Sequence, residues 1–130
     1  MLPEPHRLRR RSDFSSTVRR GRRAARPDVV VHALAEAQAE SLVSDPGPRF
    51  GLVVSKAVGP AVIRHRVARR LRHICVGLIG EVPEGAHVVI RALPGAATAT
   101  SADLDRQLRS GLRKLNLLAS TDAASTGTTR

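Results

Sequence analysis

Hydrophobic positions in this chain follow two rhythms, and the change from one to the other divides it into elements. Residues 28–35 (DVVVHALA), 50–55 (FGLVVS) and 87–92 (HVVIRA) are short and dense in β-branched side chains, which predicts three strands. Between the second and third strands the spacing lengthens. At about 100° per residue, Ile63, Val67, Leu71, Ile74 and Leu78 form one apolar stripe. A helix is therefore predicted from the Gly59-Pro60 step to about residue 78, where Gly80 and Pro83 end it. Leu104, Leu108, Leu112 and Leu115 make a second stripe, and Thr100 with Asp103 fits a capping box at its start. A shorter helix is predicted over 13–20, with Ser12 as its cap, Asp13 in its first turn and Gly21 at its end. On it Phe14 and Val18 lie one turn apart on a shared face. The order α-β-β-α-β-α describes an α+β domain, with three helices packed on a small sheet of three to four strands.

The remaining stretches read as connections. Residues 1–11 carry Pro3 and Pro5 and then Arg7, Arg9, Arg10 and Arg11, a flexible basic arm. Residues 36–49 contain Ser44-Asp45-Pro46-Gly47-Pro48, a turn signal within a mobile connection. Residues 120–130 are rich in Ser, Thr and Ala and read as a disordered tail. A single domain over 12–119 is left, with no internal repeat. No apolar run approaches the length of a membrane span. The basic N-terminus is not followed by the apolar stretch of a secretory signal, so the cytoplasm is the expected compartment. Cys75 lies beside the central stripe, has no second cysteine to pair with, and reads as a small buried hydrophobe.

Charge changes the picture of the central helix. Arg64, Arg66, Arg69, Arg70 and Arg72 place five arginines within nine residues, with His65 and His73 among them and no acid nearby. Such a row is self-repelling at helical spacing, and a polyanionic neighbour would remove the cost. The whole chain has a formal charge of +11, with twenty arginines against two lysines. Arginine binds phosphate bidentately and stacks on bases, which favours nucleic acid as the partner. Residues 1–26 carry a net +7, 27–45 a net −4 and 46–80 a net +7, so two basic blocks flank an acidic connector.

Candidate chemistry is sparse. The chain has no Walker or dinucleotide-type glycine loop, and Gly59-Pro60 is only a weak anion site. His6, His32, His65, His73 and His87 show no metal-ligand spacing, and no acidic cluster is able to hold magnesium by itself. Cys75 has no base partner in sequence. Aromatic residues are limited to Phe14 and Phe50, fewer than single-strand readers use for stacking. No helix-turn-helix or zinc-finger pattern points to duplex DNA. The residues therefore describe a binder of structured RNA, read by shape and backbone, with no catalytic residue of its own. A ribosomal or other structured-RNA-binding protein and an autonomous nuclease are the alternatives, and the missing acid or histidine constellation argues against the nuclease.

The central run resembles a known family. Ser55-Lys56, Val58-Gly59, Ala61-Val62, Arg64-His65-Arg66, Arg69 and Arg72 look like the S-K-x-x-G-x-A-V-x-R-N-R-x-x-R-x-x-R signature of the bacterial ribonuclease P protein subunit. The 50–55 strand and Asp13-Phe14 resemble that family's flanking regions, and the likeness covers about residues 7–118. Two positions depart from the pattern: His65 stands in the middle of the Arg-Asn-Arg motif, and Pro60 stands where Asn is usual.

The resemblance implies a ribonucleoprotein endonuclease that removes the 5′ leader of precursor tRNA. Hydrolysis would be carried by the RNA subunit with Mg2+, and the protein alone would bind no metal. The implied partners are ribonuclease P RNA and precursor tRNA, with no membrane and no obligate protein partner. The implied fold has a left-handed βαβ crossover through the Arg-rich helix. Lys56, Arg64, His65, Arg66, Arg69, Arg70 and Arg72 are the expected contacts to the RNA subunit. Phe14, Val18 and His32, with Arg9, Arg10 and Arg11, are expected in a leader-binding cleft between the first helix and the sheet. Val18 and His32 stand where the family commonly has aromatics, so stacking there is expected to be weaker by about 1–3 kcal/mol per lost contact.

Overall fold

The computed structural model describes residues 7–8, 11–34, 48–83 and 85–118. The expected connection at 36–47, the tail at 120–130, and Arg9 and Arg10 lie outside these. Helix α1 (Arg11–Arg20) leads into strands β1 (Arg22–Ala25) and β2 (Val29–Leu34). Strand β3 (Arg49–Val53), helix α2 (Ala61–Leu78), strand β4 (His87–Ala92), a 3-10 turn (Pro94–Ala97) and helix α3 (Ser101–Lys114) follow. The sheet order is β1-β2-β4-β3. β1 with β2 and β2 with β4 are antiparallel, whereas β3 and β4 are parallel and joined through α2.

Register sorts the strand residues onto two faces. Ala24, Val29, Val31, Ala33, Phe50, Val88, Ile90 and Ala92 share one face, and all are buried. The two predicted stripes close over it: Val67, Leu71, Ile74 and Leu78 from α2, and Leu104, Leu108 and Leu112 from α3, with Cys75 buried beside them. Each fully buried Val or Leu is worth roughly 1.5–3 kcal/mol. A like-charge i,i+4 pair costs only about 0.2–0.5 kcal/mol, so the stripe holds α2 in place despite its arginines. Glycine at 111 lets α3 approach the sheet, since a Cβ there would stand 3.0 Å from Val31 Cγ2. Gln107 and the Asp28 carboxylate and backbone amide exchange two hydrogen bonds of 2.7 and 2.8 Å, which pin the β1–β2 turn to α3.

The structure differs from the sequence reading at the N-terminal third. β1 is not among the three strands the sequence predicts, and its RRAA lacks β-branched residues. It forms because β2 offers an unpaired edge and Ala24 is buried beneath α3. α1 begins at Arg11, so Ser12 lies inside its first turn instead of capping it. Arg7 and Leu8, assigned to the arm, run beside β3: Leu8 N–H donates to the Phe50 carbonyl at 2.9 Å and its side chain is buried. The second strand ends at Val53, two residues early. β4 has the predicted bounds, and the Thr100–Asp103 capping box is formed in both directions.

Candidate nucleic-acid interface

The Arg-rich surface is built by the turn after β3 and the outer side of α2. Val58 and Gly59 N–H groups donate to the Ser55 and Lys56 carbonyls at 3.1 Å each, forming a turn that leaves Lys56 exposed. Gly59 then takes φ +154°, a conformation open to glycine, and Pro60 (φ −68°) is the N-cap of α2. The proline thus precedes the first helical residue instead of occupying it.

From that fixed start, helical spacing divides the cations. His65 and Arg69 lie exposed on the crest. Arg64 and Arg72 are half-buried on one flank, and Arg66 and Arg70 are half-buried on the other. Arg64 Nε donates to the Gly59 carbonyl at 3.1 Å, and Arg70 Nη1 donates to the Ala99 carbonyl, just before α3, at 3.0 Å. Each bond holds a guanidinium in place and leaves its remaining donors outward. Arg66 Nε is buried without an acceptor. Among the described residues, no carboxylate pairs with any arginine of α2; the ion pairs there involve Arg106 and Arg109 of α3. Among the described residues the surface is therefore a set of guanidinium groups with no carboxylate counter-charge, two of them, Arg64 and Arg70, held by hydrogen bonds. Such a set suits the non-bridging oxygens of phosphodiesters.

The expected cleft lies on the opposite face of the sheet. The Phe14 ring packs against Gly51, and Leu8 adjoins it. Val18, one turn on, is 46% exposed. His32 is more enclosed than the sequence suggested, at 6% exposure. Burial, and then the charges of Arg23 and Arg91, hold its imidazole below the usual histidine range. Arg11 opens α1; its side chain, like Arg9 and Arg10, lies outside the described set. The sequence reading missed Arg91, which shares this face with Val89 and His87 on β4. The alternation of HVVIRA was the signal that placed it there. Cys75 is fully buried and its thiol is pushed up to about 12, so it stays protonated and inert.

Among the described residues, no three His, Cys, Asp or Glu side chains come together as a metal site, and no helix is long and apolar enough to cross a membrane.

Comparison with known proteins bears on the same features. The ribonuclease P family model matches residues 2–116. The ribonuclease P protein component of Rhodococcus opacus (strain B4) is 76% identical over 119 residues, covering 92% of this chain and 95% of that protein. The component from Corynebacterium diphtheriae is 53% identical, covering 89% and 98%. In fold, the chain resembles the Staphylococcus aureus RNase P protein, with a TM-score of 0.74 at 20% identity, covering 88% of this chain and 98% of that one. The Thermotoga maritima RNase P protein gives 0.67 at 22% identity over 88% and 98%. With the signature on α2 and the family model spanning the whole folded region, the chain belongs to the ribonuclease P protein family, the protein component of the tRNA-processing endoribonuclease.

Proposed function

We propose that this chain grips the RNA subunit of ribonuclease P through α2 and Lys56 and holds the 5′ leader of precursor tRNA on the sheet face beside α1. The observation that carries this reading is the unpaired guanidinium set of Arg64, Arg66, Arg69 and Arg72, fixed on a helix whose other side is locked into the core. The helix backbone fixes where these side chains start, and the hydrogen bonds of Arg64 and Arg70 hold two guanidiniums of α2 in place, which lowers the entropic cost of orienting an RNA backbone. Magnesium belongs to the RNA subunit and supplies the Lewis acid and activated water of phosphodiester hydrolysis. This chain's residues bind and orient. His65 adds a ring N–H donor to the crest, and Arg70 contributes its remaining donors while bracing α2 against the start of α3. The cytoplasm is the proposed compartment.

Equilibrium binding to ribonuclease P RNA across a salt series tests the α2 assignment. Each phosphate contact contributes about 0.9 to the slope of log K against log salt. Arg66→Ala/Arg69→Ala is expected to weaken binding and flatten the slope by between one and two. An unchanged slope would move the RNA contact away from α2.

A further inference from the structure

The sheet face under α1 carries a charge imbalance that packing does not need. Across β1, β2 and β4 the register sets Arg23, His32 and Val89 in one row, and Arg91 lies opposite Val30 in a neighbouring row of the same face. The described strand residues of this face include Arg23, Arg49 and Arg91, with His32 and His87, and no acid. Arg49 donates to the Arg7 carbonyl, and His87 has a partner of its own. The Arg23 and Arg91 side chains are exposed and make no hydrogen bond or ion pair with other described residues. Between them sits the nearly enclosed imidazole of His32. From above, α1 brings Thr17 and Phe14 to the sheet; its charged residues are Arg11 and Asp13 in the first turn and Arg19 and Arg20 in the last.

We propose that Arg23, His32 and Arg91 form a proton-coupled phosphate site, in which a phosphodiester of the leader settles between the two guanidiniums and draws one proton from solvent onto the imidazole. The proposal rests on the leader reading above. A bound phosphodiester, with its one negative charge, offsets part of the field of the two arginines, and that field, after burial, is what disfavours the protonated ring. The imidazole responds through the field, so contact with the buried ring is not required. No covalent bond forms or breaks. In the free chain the proton leaves His32 below the ordinary 6.5. In the complex it is held to higher pH. Between those two points, leader binding takes up a proton and tightens as pH falls; outside them it is flat. The guanidiniums stay charged throughout and supply no pH dependence themselves.

The test uses the reconstituted holoenzyme with Ca2+ in place of Mg2+ to hold back hydrolysis. It compares leader-bearing precursor with mature tRNA. Calorimetry at pH 6.5 in two buffers of different ionisation heat counts the protons taken up, with the wild-type chain and no substitution. The expected result is a further uptake of up to one proton for the precursor, and a precursor-to-mature affinity ratio that rises about three- to tenfold from pH 7.5 to 5.5. His32→Gln is expected to remove that rise. Equal proton counts for the two RNAs, or a rise that survives in H32Q, would overturn the site while leaving a measured leader preference standing. If precursor and mature tRNA bind equally at every pH, the leader reading falls and this site with it.

Discussion

The ring of Phe14 rests on the backbone of Gly51, so that the first helix and the third strand meet through an aromatic face and a residue with no side chain. A Cβ at position 51 would run into the ring, and Leu8 Cβ would stand 3.2 Å away. Gly51→Ala is therefore expected to push α1 off the sheet and destabilise the fold by about 1–3 kcal/mol, in the range of overpacking. Phe14→Leu in the same chain should recover part of that loss. Urea denaturation of the two single variants and the double variant measures the coupling. Simple additivity would show that ring and glycine do not act as one contact.

Gly59 sets the entry to α2. Its φ of +154° and the 3.1 Å approach of Ile63 to a Cβ built there both oppose a side chain. Gly59→Ala is expected to cost about 1–3 kcal/mol of stability. The same change shifts the carbonyl that anchors Arg64, so affinity for the RNA subunit should fall as well. Denaturation and RNA titration of the one variant check both. A stable G59A with full RNA affinity would mean that the turn does not position the arginines.

The start of α3 is tied by Thr100 Oγ1, which accepts from Asp103 N–H at 3.0 Å, and by the Asp103 carboxylate, which accepts from Thr100 N–H. Thr100→Ala should cost about 1 kcal/mol, as lost N-caps do. Hydrogen bonds from Arg106 and Thr100 hold the Asp103 carboxyl below its usual 3.8. Its contribution is present above that unfolded value and is lost as pH falls through the lower folded one. Thermal melts of wild type and Asp103→Asn from pH 6 to 2 should therefore converge only at the acid end, where the wild-type carboxyl is protonated too. A difference that disappears above pH 5 would contradict the box.

How much of this was legible in the sequence depended on how many independent signals agreed. α2 carried an apolar period with a Gly-Pro start, β4 a dense β-branched run, and α3 an apolar period with a capping box, and their buried positions fell where the spacing put them. β1 carried none of these. Its RRAA becomes a strand through its partner's edge and through Ala24 reaching Gly111, a contact 87 residues away in the chain that no local pattern encodes. Arg91 was legible from alternation, but its role needed the β1–β2–β4 register that sets it beside His32 and Arg23. His32 read as a cleft residue; its enclosure comes from tertiary packing under α1.

The two blocks of net +7 should make folding depend on anions. Without counterions their repulsion extends over about 30 Å at 0.01 M ionic strength and shrinks to about 8 Å at 0.15 M. Circular dichroism at low ionic strength is expected to show reduced helix content, restored by sulfate or phosphate. Full helix content without added anions would contradict this.

Precursor-tRNA cleavage at low magnesium, with a bacterial ribonuclease P RNA in the presence and absence of this chain, tests the central claim most directly. The chain is expected to restore 5′-leader removal, Arg64→Ala/Arg66→Ala to restore it less, and the protein without RNA to be inert. Cleavage by the protein alone would contradict the account, because it would require a catalytic site that these residues do not form. RNA binding with no gain in cleavage would reduce the chain to a general RNA binder.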